Sequence, residues 1–453
     1  MTDFFVKGLK AIALRYADEI DRVTVESECA TVAFKDLKVA YDFVKAYAQN
    51  AMQGVNVTRR WEKADICLTA LLSKETLARA LKVLDESVDK ARRWKEDLER
   101  NSAKTAFCIE YPTDPLYVDE TTRRFQGCPS IAVTKKGRIF AAWYSGGVAE
   151  PHPDNFTLLV YSDDSGKTWS KPVFVALSNR DKGIHAMDMQ LYVEENGSLS
   201  VYFSQQDFLF CEAFENNYGC YFYDTEFASW RTQILEPDKE TLTFTPPQYC
   251  GMGLLRNKPV RLSTGRTLKF PYDMANERYA LEYSDDDNRF TRVYGGKKRP
   301  TPFDETMAYE RSDGSIRMLA RTAEGVLAES LSFDGGATWT DGAKTDIRTP
   351  NSRFFVSKTP SGKVILITND HDKERTALTV FLSEDDGTTW KRVCLIDDRP
   401  LVSYPDADFY GGKIYLIYDR ERHGAKEILF TLFTEAELLQ SDFKPEIHIL
   451  SKP

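Results

Sequence analysis

Two textures divide the chain. Over residues 1–105 apolar positions recur three and four apart with few turn residues between them, the period of an amphipathic helix. In LTALLSKETLARALKVLDESVDKARRWKEDLE (68–99), Leu68, Leu71, Leu72, Leu77, Leu81 and Leu84 fall on one side, and Ser73 with Thr76 supplies a start signal between two helical runs. KDLKVAYDFVKAYAQNAM (35–52) has the same rhythm. The pattern predicts a helical domain over 1–105, a structural or self-associating appendage. From residue 106 to 453 the rhythm shortens. Brief runs rich in apolar and β-branched residues alternate with Gly, Asp, Asn and Pro, as strands alternate with tight turns.

The second region repeats itself. A glycine followed by an apolar run occurs as GRIFAAW (137–143), GSLSVYF (197–203), GRTLKFP (265–271), GSIRMLA (314–320), GKVILIT (362–368) and GKIYLIY (412–418). The leading glycines are 60, 68, 49, 48 and 50 residues apart. Six copies at this interval predict six four-stranded units set radially, a six-bladed β-propeller over 106–453 and hence a mainly β chain.

Connectivity then locates a site. If each glycine marks the turn between the first two strands of a blade, residues eight to ten before it and about seven after it ring one mouth of the central axis. Blade four places Glu305 and Arg321 there, blade five Arg353 with Arg375 further along, and blade six Tyr404 and Asp419. His185 and Asp188 enter blade two, Asn257 and Lys258 precede blade three, and Tyr272 and Asp273 follow its second strand. Each is equally compatible with a structural role, but the convergence of arginines, a glutamate and a tyrosine from separate blades favours a binding or catalytic site.

Composition narrows the classes of function. Lys and Arg number 60 against 69 Asp and Glu, a net charge of −9 with no basic stripe, which argues against nucleic acid as a partner. Nothing reaches 18 consecutive apolar residues, so no membrane span is expected, and the N-terminus is too charged for a signal peptide. Eight scattered cysteines without a CxxC pair suit reduced thiols in a cytoplasmic protein. Five histidines, none in an HxH or HxxxH arrangement, give no metal centre, and no phosphate loop or other cofactor motif appears. The aromatic content of 12% suits β cores and sugar-stacking surfaces.

A second repeat identifies a family. SDDSGKTW (162–169), SFDGGATW (332–339) and SEDDGTTW (383–390) fit S-x-D-x-G-x-T-W, and SDDDNRFT (284–291) is a decayed copy. This is the Asp box, and over residues 107–453 the chain resembles the sialidase (neuraminidase) superfamily of glycoside hydrolases. The box itself reads as structural: Asp and Gly close a hairpin and Trp packs between blades. The resemblance implies that Tyr404 is a nucleophile, Glu305 its base, and Arg321 and Arg375 two members of a carboxylate-binding arginine triad. Arg353, His152, His185 and Asp188 are further candidates for substrate contact. A phenol suits such a substrate because a carboxylate nucleophile would be repelled by a carboxylate at the anomeric carbon. A phenol with a pKa near 10 in turn needs a base beside it.

Two departures from the family pattern matter. The first triad arginine belongs to an R-I-P motif, and in RRFQGCPSIAV (123–133) its position falls on Gly127, with Arg123 and Arg124 as the nearest alternatives, neither at the motif position. The general acid is open between Asp154 and Glu150, with His152 close by in SGGVAEPHPDNFTLLVYS (145–162). The resulting expectation is a sialidase-like retaining exo-glycosidase acting on a carbohydrate with a terminal acidic sugar. The rivals are a glycosidase or lyase acting on uronic acid or rhamnose linkages, the lyase using His152 and Tyr404, and a glycan-binding propeller without activity.

Overall fold

The computed structural model describes residues 106–453, except 148–149, 151, 153, 180–183, 208–226, 274–275, 288 and 302, together with the backbone of four strands earlier in the chain. Those four, Ile20–Glu26, Cys29–Phe34, Asn56–Arg60 and Asp65–Thr69, form an antiparallel sheet in which the third and fourth in sequence exchange places. The described part of 1–105 is therefore strand, and the expected helical domain is corrected to that extent. The segments 35–52 and 70–99 lie outside the described residues, and with them the helical surface expected to mediate self-association. Leu68 lies in the fourth strand rather than in a helix.

From residue 106 onward six antiparallel sheets follow one another, each built from consecutive strands. Blade one comprises Phe125–Val133, Ile139–Gly146, Phe156–Ser162 and Phe174–Leu177, with Cys108–Glu110 added at its outer edge. Blades two to six begin with Ile184–Val193, Val260–Arg261, Thr306–Glu310, Phe355–Lys358 and Val402–Tyr410 as their innermost strands. The chain is a six-bladed β-propeller. Its only described α-helices, Pro115–Val118 and Glu435–Leu438, are single turns.

All six repeat glycines have positive φ, between +76° and +93°, at the turn from the first to the second strand. A tight hairpin needs a left-handed residue there, and only glycine adopts it without a Cβ clash. The apolar runs after these glycines are continuous because both faces of each sheet are covered by a neighbouring blade. Ile139, Ala141 and Trp143 face blade six and pack with Ile417 and Phe430, whereas Phe140 and Ala142 face blade two and pack with Leu191 and Val201. The core is thus divided among the inter-blade spaces.

The S-x-D-x-G-x-T-W segments turn from the third strand to the fourth. In the first, Asp164 accepts from Thr168 N at 2.9 Å and Thr168 Oγ1 at 2.6 Å, while Gly166 N donates to Ser162 Oγ at 3.0 Å. Trp169 meets Phe430 of blade six edge-on at 5.7 Å, and Trp339 meets Phe270 of blade three at 6.1 Å, so these indoles seal adjacent blades.

Among the described residues no strand is exchanged between the last blade and the first. Carboxylates close the ring instead. Asp406 accepts from Ile131 N at 2.9 Å, Asp408 from Val133 N at 2.8 Å and Asp419 from Cys128 N at 2.8 Å, capping the outward-facing amides of blade one's inner strand. Two cations pin the axis. Lys258 Nζ donates to Asp406 at 2.8 Å and to the carbonyls of Leu191 and Ile131. Arg353 donates to the carbonyls of Pro129 (2.6 Å), Arg256 (3.0 Å) and Tyr404 (3.1 Å).

Candidate active site

The inner strands of blades one, two and six are each interrupted by a register shift near the same mouth, between Gly127 and Ser130, Met187 and Met189, and Ser403 and Asp406. At each break one residue has positive φ: Cys128 (+57°), Asp188 (+28°) and Tyr404 (+56°). A bulge frees a side chain from the strand's alternation and re-aims it. At blade six this backbone device presents the Tyr404 phenol to the side chains of blade four.

Tyr404 Oη donates to Glu305 Oε1 at 2.6 Å and accepts from Arg321 Nη1 at 2.9 Å, while the same guanidinium nitrogen lies 2.6 Å from Glu305 Oε2. All three side chains are buried. Burial pushes the Glu305 carboxyl upward, but Arg321, Arg256 and the two hydrogen bonds prevail and hold it at about 2. Burial and then the Glu305 charge push the Tyr404 phenol above its usual value, against the pull of Arg321, Arg256 and Arg422. The resting pair is therefore a neutral phenol hydrogen-bonded to a carboxylate.

Arginines surround the phenol ring. The guanidinium carbons of Arg422, Arg353, Arg375 and Arg256 lie 4.0, 5.0, 5.3 and 6.0 Å from its centroid. Arg256 pairs with buried Asp188 and lies 4.0 Å from Glu150. Arg422 pairs with Asp419 (3.0 Å) and Glu150 (3.2 Å). Arg375 donates to the Asn351 carbonyl at 3.2 Å and has no carboxylate within ion-pair distance among the described residues. Burial drives Asp188 up to about 6 despite Arg256.

The structure thus brings together Tyr404, Glu305, Arg321, Arg375 and Glu150. Asp188 is close to them through Arg256. Arg353 was expected at the substrate, but its guanidinium is tied to inward carbonyls and serves as an axial pin. Lys258 is pinned likewise, and Asn257 donates to the Thr306 carbonyl at 2.7 Å. Asp154 is half exposed; its amide donates to His152 Nδ1 at 3.1 Å, and its carboxylate lies 3.7 Å from that ring. Of the two candidates for the acid, Glu150 is the one inside the arginine cluster. His185 bonds Tyr144 Oη at 2.5 Å and is held neutral by burial, its value falling to about 3. Arg123 binds Gln126 and Ser451 beside Trp143, and Arg124 is exposed; neither is bonded within the cluster. Tyr272 lies buried beneath Arg256, and Asp273 accepts from Tyr294.

Arg256 and Arg422 were missed from the sequence. Arg256 adjoins the Asn257–Lys258 pair singled out there, and Arg422 lies three residues past Asp419 in a loop, beyond the offsets that the repeat defines.

A family model described as a BNR repeat-like domain matches residues 137–415, more than half of the chain. The chain belongs to this BNR-repeat family, within the sialidase superfamily of β-propellers. Among curated proteins the BNR-repeat chain is similar to the anhydrosialidase of Macrobdella decora, 25% identical over 237 residues, a match covering 46% of this chain and 30% of that protein. The chain therefore spans less than a third of that relative's length. Its fold is similar to the intramolecular trans-sialidase of Ruminococcus gnavus, solved with oseltamivir carboxylate, at a TM-score of 0.54 and 17% identity over 73% of this chain and 99% of that one. It is also similar to the leech intramolecular trans-sialidase solved with 2,7-anhydro-Neu5Ac, at a TM-score of 0.54 and 15% identity over 92% and 83%. At these identities the structural likeness is one of fold.

Proposed function

We propose that this BNR-repeat protein is a retaining exo-glycosidase that releases a terminal acidic sugar bearing a carboxylate at its anomeric carbon. The observation that carries the reading is the buried contact of Tyr404 Oη with Glu305, polarised by Arg321. Arg375 and the one remaining N–H of Arg321 Nη2 receive the substrate carboxylate. Tyr404 Oη attacks the anomeric carbon as its proton passes to Glu305, and the glycosidic C–O bond breaks. Asp154 protonates the departing oxygen, while Glu150 on the same loop stays paired with Arg422. Water then attacks the glycosyl–tyrosine, giving one proton back to the carboxylate that protonated the leaving group; the C–O bond to Tyr404 breaks, Glu305 returns its proton to the phenolate, and the anomeric configuration is retained overall.

A carboxylate held near 2 is a weak base, so phenol deprotonation and C–O bond formation must proceed together. A site made only to bind glycans has no need of a carboxylate against a buried phenol, and this favours catalysis over the binding-module reading.

The test is covalent trapping. A 3-fluorosialyl fluoride slows breakdown of a glycosyl-enzyme more than its formation. Incubation followed by peptide mass spectrometry is expected to show one added sugar on the peptide containing Tyr404. Turnover of acidic glycosides with an adduct elsewhere, or with inversion of configuration, would sink the mechanism.

A further inference from the structure

We infer that Arg422 is a specificity-determining, carboxylate-binding arginine of this site, admitted from blade six by the glycine at position 127. The inference rests on the proposed function and deepens it.

The space is shared and exclusive. A Cβ built on Gly127 would lie 2.7 Å from both Cδ and Nε of Arg422 and 2.9 Å from Cγ. No real Cβ approaches another heavy atom that closely, so a side chain at 127 and Arg422 in its present place are alternatives. The inner strand of blade one lacks an arginine at the position where the family pattern has one, and a guanidinium from the far side of the ring closure fills that volume.

The donor inventory explains why one is needed. Arg321 has five N–H groups, and four are engaged within the protein: Nε to Asn351 Oδ1 at 2.6 Å, Nη1 to Glu305 and to Tyr404, and Nη2 to the Asn351 carbonyl at 2.8 Å. Arg353 is committed to carbonyls, and Arg256 to Asp188. Arg422 is anchored at Nε by Asp419 and at Nη1 by Glu150, while its Nη2 has no hydrogen-bond partner among the described residues. It lies against the Tyr404 ring, nearer than any of the other three arginines there. Five guanidinium groups, of Arg256, Arg321, Arg353, Arg375 and Arg422, face four carboxylates, of Glu150, Asp188, Glu305 and Asp419, leaving one positive charge in excess. A single substrate carboxylate held by Arg422 Nη2 and Arg375 restores neutrality in a place where an unbalanced charge is costly.

The experiment measures binding by calorimetry of N-acetylneuraminic acid, deaminoneuraminic acid and their methyl esters to the full chain and to Arg422→Ala, Arg422→Lys and Gly127→Arg/Arg422→Gly. The unaltered protein is expected to prefer the acids. Arg422→Ala should bind them roughly ten- to a hundredfold more weakly, the loss typical of a charge-assisted hydrogen bond, with little change for the esters. Arg422→Lys keeps the charge and the anchor to Asp419 but not the planar fork, so an approximately tenfold loss there keeps the test valid even if the alanine variant melts early. The double variant should recover part of the preference for acids. Acid binding by folded Arg422→Ala or Arg422→Lys within twofold of the parent overturns the assignment while leaving the glycosidase reading intact, as does a double variant no better than Arg422→Ala. Failure of the unaltered protein to bind any of these acids overturns both.

Discussion

Replacing Tyr404 with phenylalanine removes one oxygen and leaves the ring. That oxygen donates to Glu305 at 2.6 Å and accepts from Arg321 at 2.9 Å. Arg321 keeps its 2.6 Å contact with Glu305 Oε2, so neither charge is stranded, and the guanidinium groups of Arg353, Arg375 and Arg422 still face an aromatic ring. The stability cost is that of one hydrogen bond to a buried charge, about 1–3 kcal/mol. In a domain of this size that lowers Tm by roughly 1–4 °C. The kinetic cost is of another order, because no other side chain can form the bond to the anomeric carbon. kcat is expected to fall at least ~1000-fold, about 4 kcal/mol in activation free energy, while the dissociation constant for the acidic sugar changes by less than about threefold. Release of a fluorogenic aglycone, calorimetric binding and a thermal melt on the same preparation separate the two effects. Turnover within tenfold of the parent would remove Tyr404 from its role. Loss of turnover matched by an equal loss of binding would show that the phenol positions substrate and does not attack it.

Three further outcomes test other links. Glu305 titrates near 2 in the folded chain against an ordinary 4.5, so it contributes stability that is complete above pH 4.5 and lost as pH falls towards 2. At 1.36 kcal/mol per unit the contribution is about 3 kcal/mol, and the Tm difference between the parent and Glu305→Gln should shrink steadily from pH 5 to pH 3; a constant difference would contradict the charge pairing. Arg353→Met strands three inward carbonyls on the axis and should destabilise by about 3–5 kcal/mol in urea unfolding, yet leave KM for the surviving folded enzyme unchanged, whereas a rise in KM would restore Arg353 to the substrate. Gly314 and Gly387 share nearly the same φ, +81° and +83°, but a Cβ on Gly314 meets open space and one on Gly387 collides with Tyr309 Oη and Arg317. Gly314→Ala should cost only the left-handed strain, about 1–2 kcal/mol, and Gly387→Ala clearly more; equal melting losses would refute the steric part of the argument.

The propeller was legible because its two devices are local and repeat. A left-handed glycine heads each hairpin, and a strand covered on both faces reads as an unbroken apolar run. Offsets counted from those glycines found Glu305, Arg321 and Tyr404, since all three stand where the blade's inner strands meet the mouth. The same offset gave Arg353, whose guanidinium binds inward carbonyls on the axis. Counting along a strand fixes a residue's place around the axis but not whether its side chain meets solvent or the inward carbonyls below. Arg422 was illegible for a different reason: it reaches the site from a loop, and only the empty volume over Gly127, a property of two segments far apart in sequence, reveals its place. Asp154 and Glu150 were equally plausible neighbours on one loop in the sequence, and only the fold shows that Glu150 pairs with Arg422 whereas Asp154 is half exposed. In the first hundred residues the helical period and the described strands disagree, since β-branched runs such as VTVE and TVAF pair into a sheet that the periodicity did not suggest.

Site and ring closure occupy the same stretch of backbone. The bulges carrying Tyr404 and Cys128 lie in blades six and one, which meet where the chain's last strand set joins its first, and the bulge carrying Asp188 lies in blade two beside them. A non-glycine residue at positive φ costs on the order of 1–3 kcal/mol and persists only when its surroundings fix it. Here the fixing groups are the closure contacts themselves. Asp419 holds the Cys128 amide, Ser403 Oγ at 2.6 Å and Arg422; Arg353 binds the carbonyls of Pro129 and Tyr404 on either side of the seam. A propeller that closed by exchanging a strand would have hydrogen-bond ladders across this seam and no such need for charged side chains there. Closing it with carboxylates and guanidinium groups leaves the inner strands free to bulge, and places at the mouth the surplus of positive charge that an acidic sugar requires.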